Sequence, residues 1–390
     1  MNIKSLSILA ILTILAIFFA VQLTQKPQSP TTATNPITIF PNLMSVINEV
    51  SEIDVKAADQ TTTLSRSTDG LWGLKEKSNY PADLTKVRNI LMGFSNLKVL
   101  EAKTSNPEWY EKIGVEDVST PSAKSTLITL KKPDGTGVAS LIIGNNQRAK
   151  ADSSQQEIFV RKPEDKQSWL VQGSLPVEKT ALAWISNELT DIAMQRIQAV
   201  DVTQPSGKTI QISKTSATDE TYKVADLPEN AKVSQPDAVN QIATTLSNLT
   251  LEDVIASSEL KGDEKAGVTA VFKTFDGLTV TLKTVEKDSK QYGQFTIAFT
   301  APQVAEKVED KGENAEKAAD KPDPIKVTQA EAEKLQQTLT GWAYVIPASK
   351  MEALLKPQAD FITTEPPQAA ATDAIGEPST VTTPLLPLLK

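Results

Sequence analysis

The chain has 390 residues, 40 basic and 48 acidic, with a formal net charge of −8 and neither cysteine nor histidine. That length accommodates two ordinary domains, and the acidic balance argues against nucleic acid as a partner. The missing Cys and His exclude disulfides, thiolate nucleophiles and Cys/His zinc sites, so no metal or cofactor is expected.

At the start, Met1 to Lys4 form a short stub before an uncharged, Leu-, Ile-, Ala- and Phe-rich stretch over 5–23. About 20 apolar residues in a helix span a bilayer core. A cleaved signal peptide is the competing reading, but its apolar region is shorter and ends in small residues. Here Phe18 stands two positions before Ala20. The expectation is a cytoplasmic stub at 1–4 and a transmembrane anchor at 5–23 that meets the lipid bilayer. A tether follows over 24–49, Pro-, Thr- and Gln-rich from Lys26 to Asn35. The body is placed outside the plasma (inner) membrane, single-pass and extracytoplasmic.

The body repeats itself. Ile53-Asp54-Val55 opens a set of strand-like runs, Thr61 to Arg66 and Leu71 to Leu74, with a turn at Asp69-Gly70. Val200-Asp201-Val202 opens a second set, Thr209 to Lys214 and Tyr222 to Val224. Alternation at a period of two, broken by a turn, is a hairpin pattern. A helix period follows each, with Val87, Ile90, Phe94 and Leu97 on one face and Val239, Ile242, Leu246 and Leu249 on the other copy's. Ser95-Asn96-Leu97 recurs as Ser247-Asn248-Leu249. Further strands run from Leu127 to Leu130 and, after Asp134-Gly135, from Val138 to Ile143. Their counterparts are Val268 to Phe272 and, after Asp276-Gly277, Leu278 to Leu282. Glu157 to Val160 and Gln294 to Phe299 continue the two sets, and Trp169-Leu170-Val171 and Trp342 to Val345 close them.

The fold class predicted is therefore α+β: two tandem homologous modules of antiparallel hairpins with packed helices, preceded by one N-terminal transmembrane helix. The first module covers 50–196 and the second 197–356, the latter with a charged, solvated insertion at 303–324. A Pro/Thr-rich tail over 357–390 is expected to be disordered, although Leu385 to Leu389 is apolar enough to dock.

This order of hairpin, helix, Asp-Gly hairpin and tryptophan-led strand resembles the domain-of-unknown-function family four-three-four-zero. Asn106 to Val115, which contains Trp109, Tyr110 and Gly114, is similar to the family's short segment ending in Tyr-Gly-Leu. Trp169-Leu170-Val171 and a helix expected from Pro176 to Ile192 add to the likeness, which covers roughly Ile53 to Leu355. The second copy lacks the Trp-Tyr…Gly segment. The resemblance implies a membrane-anchored extracytoplasmic protein encoded beside gliding-motility-type ABC-transporter components, and it supplies no catalytic residues.

Chemical motifs are sparse. Ser-x-x-Lys occurs at Ser95–Lys98 and Ser258–Lys261, but the accompanying elements of penicillin-binding enzymes are absent. Asp134-Gly135-Thr136-Gly137 sits between strands and reads as a hairpin turn rather than a phosphate cradle. Asp310, Glu313 and Asp323 lack calcium-loop spacing. Trp109, Tyr110 and Gly114 are the candidate interface, because aromatics of this kind anchor contacts, with cover for the module's core as the competing reading of Trp109 and Tyr110; Trp72, Trp169, Trp184 and Trp342 are expected in the core. The function expected is a non-enzymatic subunit or scaffold accessory to an ABC-type membrane complex. The alternatives are a ligand- or glycan-binding envelope protein and an envelope hydrolase using carboxylates or a Ser/Lys pair.

Overall fold

The computed structural model describes residues 37–147, 156–302 and 323–364. The expected anchor at 5–23, nearly all of the charged insertion (303–322) and the tail beyond 364 lie outside the described residues. The chain divides into two compact units between Ser186 and Asn187.

The first unit contains strands β1 (Glu52–Lys56), β2 (Thr61–Arg66), β3 (Trp72–Leu74), β4 (Tyr80–Pro81), β5 (Lys98–Ala102), β6 (Thr126–Lys131), β7 (Gly137–Gln147), β8 (Glu157–Arg161) and β9 (Ser168–Gln172). They form one antiparallel sheet in the order β4-β3-β2-β1-β6-β7-β8-β9-β5. Helix α1 (Leu43–Val46) precedes β1, and helix α2 (Leu84–Asn96) joins β4 to β5, the two opposite edges. A connection between opposite edges must cross a face of the sheet, which is why α2 buries a stripe. Val87, Ile90, Phe94 and Leu97 are all at most 2% exposed, and each such side chain contributes roughly 2 kcal/mol of burial. Asp83 starts the helix by accepting from the Thr85 and Lys86 amides at 2.8 and 3.3 Å, a cap of about 1 kcal/mol.

The tether expected over 24–49 gives way at residue 37 to folded chain. Ile39 and Leu43 are buried, Phe40 stacks on Phe94, and the Ile39 amide donates to the Leu97 carbonyl at 3.0 Å. The apolar side chains among these residues find a place over α2, and burial outweighs the turn-forming composition around them.

The second unit contains β10 (Glu188–Thr190), β11 (Ile197–Thr203), β12 (Thr209–Ser213), β13 (Lys223–Val224), β14 (Ala231–Val233), β15 (Leu249–Thr250), β16 (Asp253–Ala256), β17 (Thr269–Thr274), β18 (Leu278–Lys287), β19 (Lys290–Phe299), β20 (Trp342–Val345) and β21 (Ile362–Thr364). The main sheet is antiparallel and runs β13-β12-β11-β17-β18-β19-β20-β16. Setting β1 against β11 reproduces the strand order of the first unit apart from its edge strand β4. Short pairs β10–β15 and β14–β21 stand outside it. The equivalent helix, Pro236–Ala243, is shorter; it ends before Leu246, and Leu249 lies in β15, yet both remain fully buried.

Two further segments depart from the sequence reading. Pro176 to Ile192 is not a helix: it holds a single 3-10 turn at Ala181–Trp184 and strand β10. The apolar residues there are pinned individually. Trp184 is fully buried with its indole N–H on the Glu178 carbonyl at 2.9 Å, and Thr190 Oγ1 donates to Leu246 at 2.9 Å. At the other end, 357–364 is folded rather than a disordered tail. Phe361 is fully buried, and β21 pairs with β14 from Ile362 to Thr364.

Candidate functional site

Between β5 and β6 of the first unit the chain folds over the sheet face opposite α2. Pro107–Trp109 is a 3-10 turn entered through Asn106, whose side chain accepts from the Glu108 amide. One turn of helix, α3 (Tyr110–Ile113), follows and ends on Gly114. Gly114 has φ +71°, the left-handed conformation that closes helices and suits glycine. Beneath it lies Gly144 of β7, where an added Cβ would meet the Ile113 carbonyl at 2.4 Å. That close approach seals a small cluster of Tyr110, Val115 and Ile142, flanked by Ile113, Leu127 and Phe159.

The three expected interface residues thus come together in one segment but are used differently. Tyr110 is buried, and its hydroxyl donates to the Lys166 carbonyl at 2.5 Å. Gly114 is a backbone hinge point packed on Asn145. Trp109 is half exposed, with Lys112 Nζ 3.7 Å from its ring centre, a cation–π contact. Of the other tryptophans, Trp72 and Trp184 are buried, whereas Trp169 and Trp342 are only partly covered.

Sequence reasoning passed over Arg161, which organises this segment. It is 4% exposed and lies against Tyr110. Its Nε donates to the Val115 carbonyl at 3.0 Å, Nη1 to the Pro163 and Asp165 carbonyls, and Nη2 to Asp117 at 2.8 Å. An Arg at a strand end carries no signature that distinguishes this role.

The second unit has its own fastenings. Arg196 donates twice to Asp276 (3.0 and 2.8 Å) and twice to Glu331 (2.9 and 2.7 Å). Both carboxylates hold its guanidinium even more firmly protonated than usual, Glu331 above all. Burial pushes Asp276 up, but hydrogen bonding from Thr274 and the Arg196 charge outweigh it and bring its carboxyl below the ordinary value. Glu331 belongs to the helix Pro324–Leu339, which Asp323 caps by accepting from the Ile325 amide at 3.0 Å. Lys214 is 4% exposed and lies between the rings of Tyr222 and Phe275; burial lowers its pKa. Lys350 donates to the carbonyls of Thr244 and Ser247 at 3.0 and 2.7 Å. Burial lowers its pKa too.

The Ser-x-x-Lys candidates are not assembled among the described residues: Ser95 Oγ turns back to the Met92 carbonyl at 3.0 Å, and no hydrogen bond joins it to Lys98. Asp134-Gly135 is a turn between β6 and β7, with Asp134 accepting from the Thr136 amide at 2.9 Å. Among the described residues there is no cluster of three or more acidic side chains that could hold a metal ion, and no helix long and apolar enough to cross a membrane.

Fold and site together define a protein of mixed α+β class, in which each large antiparallel sheet carries a helix joining its two edges, and buried or half-buried cations serve as fastenings. The family model for the domain of unknown function DUF4340 matches residues 72–270, just over half of the chain, in one span from β3 to the start of β17. The chain belongs to that family. No curated protein matches it significantly.

Proposed function

We propose that the chain is a non-enzymatic, membrane-anchored extracytoplasmic subunit or scaffold, built from two copies of one module and accessory to an ABC-type membrane complex. The anchor is the apolar stretch 5–23. The reading is carried by the strand order common to the two sheets, since duplicating a module extends a surface for assembly without adding a reactive centre. It draws further support from three cations, one buried and two half-buried. Arg161, Arg196 and Lys350 spend their donors on carbonyls and carboxylates of their own unit, which is fastening rather than chemistry. Trp109, half exposed beside Lys112, is the side chain of the Trp-Tyr…Gly segment free to meet a partner.

The test is purification of the tagged full chain from its own membranes in mild detergent, with quantitative mass spectrometry. Transporter subunits at near-stoichiometric yield are expected, reduced by Trp109→Ala. Recovery of the chain alone would refute the scaffold reading. A second reading, a small-ligand or glycan binder, is favoured by a hollow of about 820 Å3 in the second unit. Val345, Ile346, Met351 and Leu355 line it together with Ser349 and Lys290, an apolar floor with polar groups of the kind ligand sites use.

A further inference from the structure

Helix α2 has a second stripe that the core does not use. Leu84, Arg88 and Leu91 stand four and three residues apart, and Met92 stands four beyond Arg88; Leu84 and Met92 are 49% and 40% exposed. Facing them, Ile47, Val50 and Trp72 complete a groove of about 390 Å3. A neighbouring hollow shares Asn48, Val50, Arg66 and Gly70 with it, so the two run into each other.

The charge at this groove is positive. Glu49 pairs with Lys132 at 2.6 Å, and Glu52 pairs with Lys75 and Lys131 at 2.5 and 2.9 Å. Both acids are therefore neutralised. Arg66 lies over Gly70, and among the described residues its guanidinium donates to the Asn48 carbonyl alone, at 3.1 Å. Arg88, on the exposed face, has no hydrogen bond or ion pair among the described residues. Two guanidinium groups thus flank an apolar trough with no carboxylate paired to either among the described residues, in a chain whose net charge is −8.

The second unit provides an internal control. Placing Val87, Ile90 and Phe94 on Val239, Ile242 and Leu246 sets Leu84, Arg88, Leu91 and Met92 opposite Pro236, Asn240, Ala243 and Thr244. The equivalent helix there carries small or polar residues, and Asn240 is consumed internally by Glu220 and Tyr222. This fold does not need an apolar, cationic stripe at those positions. Leu84 and Met92 remain exposed at a cost in solubility that a bound partner would remove.

We infer that the groove between α2 and Ile47–Val50 docks an acidic amphipathic segment of a partner protein, its apolar side chains against Leu84, Leu91 and Met92 and its carboxylates on Arg66 and Arg88. The concave form favours a helix or extended segment laid into it over a flat lipid surface. The inference rests on the scaffold reading and specifies the chemistry of one partner.

The test is selection of a displayed library of random short peptides on the full chain, followed by affinity measurement on variants. Selected peptides are expected to combine apolar residues at helix spacing with Asp or Glu. Binding should fall by about tenfold or more in Arg88→Glu and in Leu84→Ser, and replacing the peptide's Glu by Lys should restore binding to Arg88→Glu. Both positions are exposed, so unchanged thermal unfolding verifies the fold of each variant, and Arg66→Glu gives an independent second case. The inference is overturned if no peptide is selected, if binders lack carboxylates, or if affinities do not change in the variants. It is equally overturned if phosphatidylglycerol vesicles, rather than peptides, bind in a manner that needs Leu84 and Arg88. Co-purification of transporter subunits is read separately, so failure at the groove and failure of the scaffold reading are distinguishable.

Discussion

The guanidinium carbon of Arg161 lies 4.6 Å from the centre of the Tyr110 ring, and through this pairing β8 holds the segment that crosses the back of the first sheet. Four of the five tryptophans, at 72, 109, 169 and 184, lie in the first unit. Denaturation followed by tryptophan fluorescence therefore reports chiefly on that unit.

Replacing Arg161 by Ala should cost the first unit about 3 kcal/mol, because the Val115, Pro163 and Asp165 carbonyls lose their donor inside the protein. Asp117→Asn should cost under about 1 kcal/mol, since that carboxylate is 65% exposed and solvent takes up its charge. Urea midpoints that rank the two substitutions in the opposite order would remove Arg161 from its organising role.

Gly144→Ala places a methyl group 2.4 Å from the Ile113 carbonyl and 2.8 Å from that of Gly114. The covering segment must lift, at a cost of roughly 2–3 kcal/mol. Gly137→Ala, in the same strand but with nothing within 4 Å, should leave the unfolding midpoint nearly unchanged. Limited proteolysis should cut between Pro107 and Val118 faster in the first variant only.

In the second unit, Lys214 carries a charge that burial disfavours. A Lys with a lowered folded pKa binds its proton less tightly than in the unfolded chain, so stability rises with pH as it titrates below its ordinary value near 10.4. Lys214→Met keeps the stem between Tyr222 and Phe275 and removes the charge. It should stabilise the unit by about 1 kcal/mol at neutral pH, seen in calorimetry as a higher melting temperature. A lower one would show that contacts with Met194 and Asp219 outweigh desolvation.

Asp276 behaves with the opposite sign. Its folded pKa is depressed, so its stabilising effect is complete above the unfolded value near 3.9 and is lost as pH falls through the lower folded value. Acid titration of the second unit should show this loss below about pH 4. Asp276→Asn should flatten the profile there and lower stability at neutral pH, the second effect modest because the carboxylate is 36% exposed.

What the sequence disclosed was periodicity. The alternating runs and the stripe Val87, Ile90, Phe94, Leu97 needed only spacing, and all four of those side chains are buried. What it concealed depends on contacts distant in the chain. Pro176 to Ile192 has enough apolar residues for a helix, but each is held by a partner elsewhere: the Asp83 amide donates to the Trp184 carbonyl at 2.8 Å, and the Ile192 amide donates to that of Leu246 at 2.9 Å. Of the expected interface, Trp109 is exposed while Tyr110 faces inward, a distinction that two adjacent aromatics cannot reveal without the neighbouring Arg161. The exposed stripe at Leu84, Arg88 and Met92 was present in the same helix pattern, hidden because the core stripe beside it is stronger.

The segment 357–364 offers the sharpest test of tertiary contact against composition. The Ser234 amide donates to the Phe361 carbonyl at 2.9 Å, just before the second unit's crossing helix. The Trp184 carbonyl meets the Asp83 amide just before α2 in the first. In both units a buried aromatic thus closes the entry to that helix. Phe361→Ala should therefore destabilise the second unit by about 3–4 kcal/mol, the range for a large side chain lost from a fully packed site. Removing everything after Lys356 should cost more, because the pairing of β21 with β14 goes as well. Trp342 is the lone tryptophan of that unit, so selective excitation in a variant with Trp72, Trp109, Trp169 and Trp184 replaced by Phe would follow this unfolding alone. An unchanged midpoint in Phe361→Ala would mean that the fold closes without it.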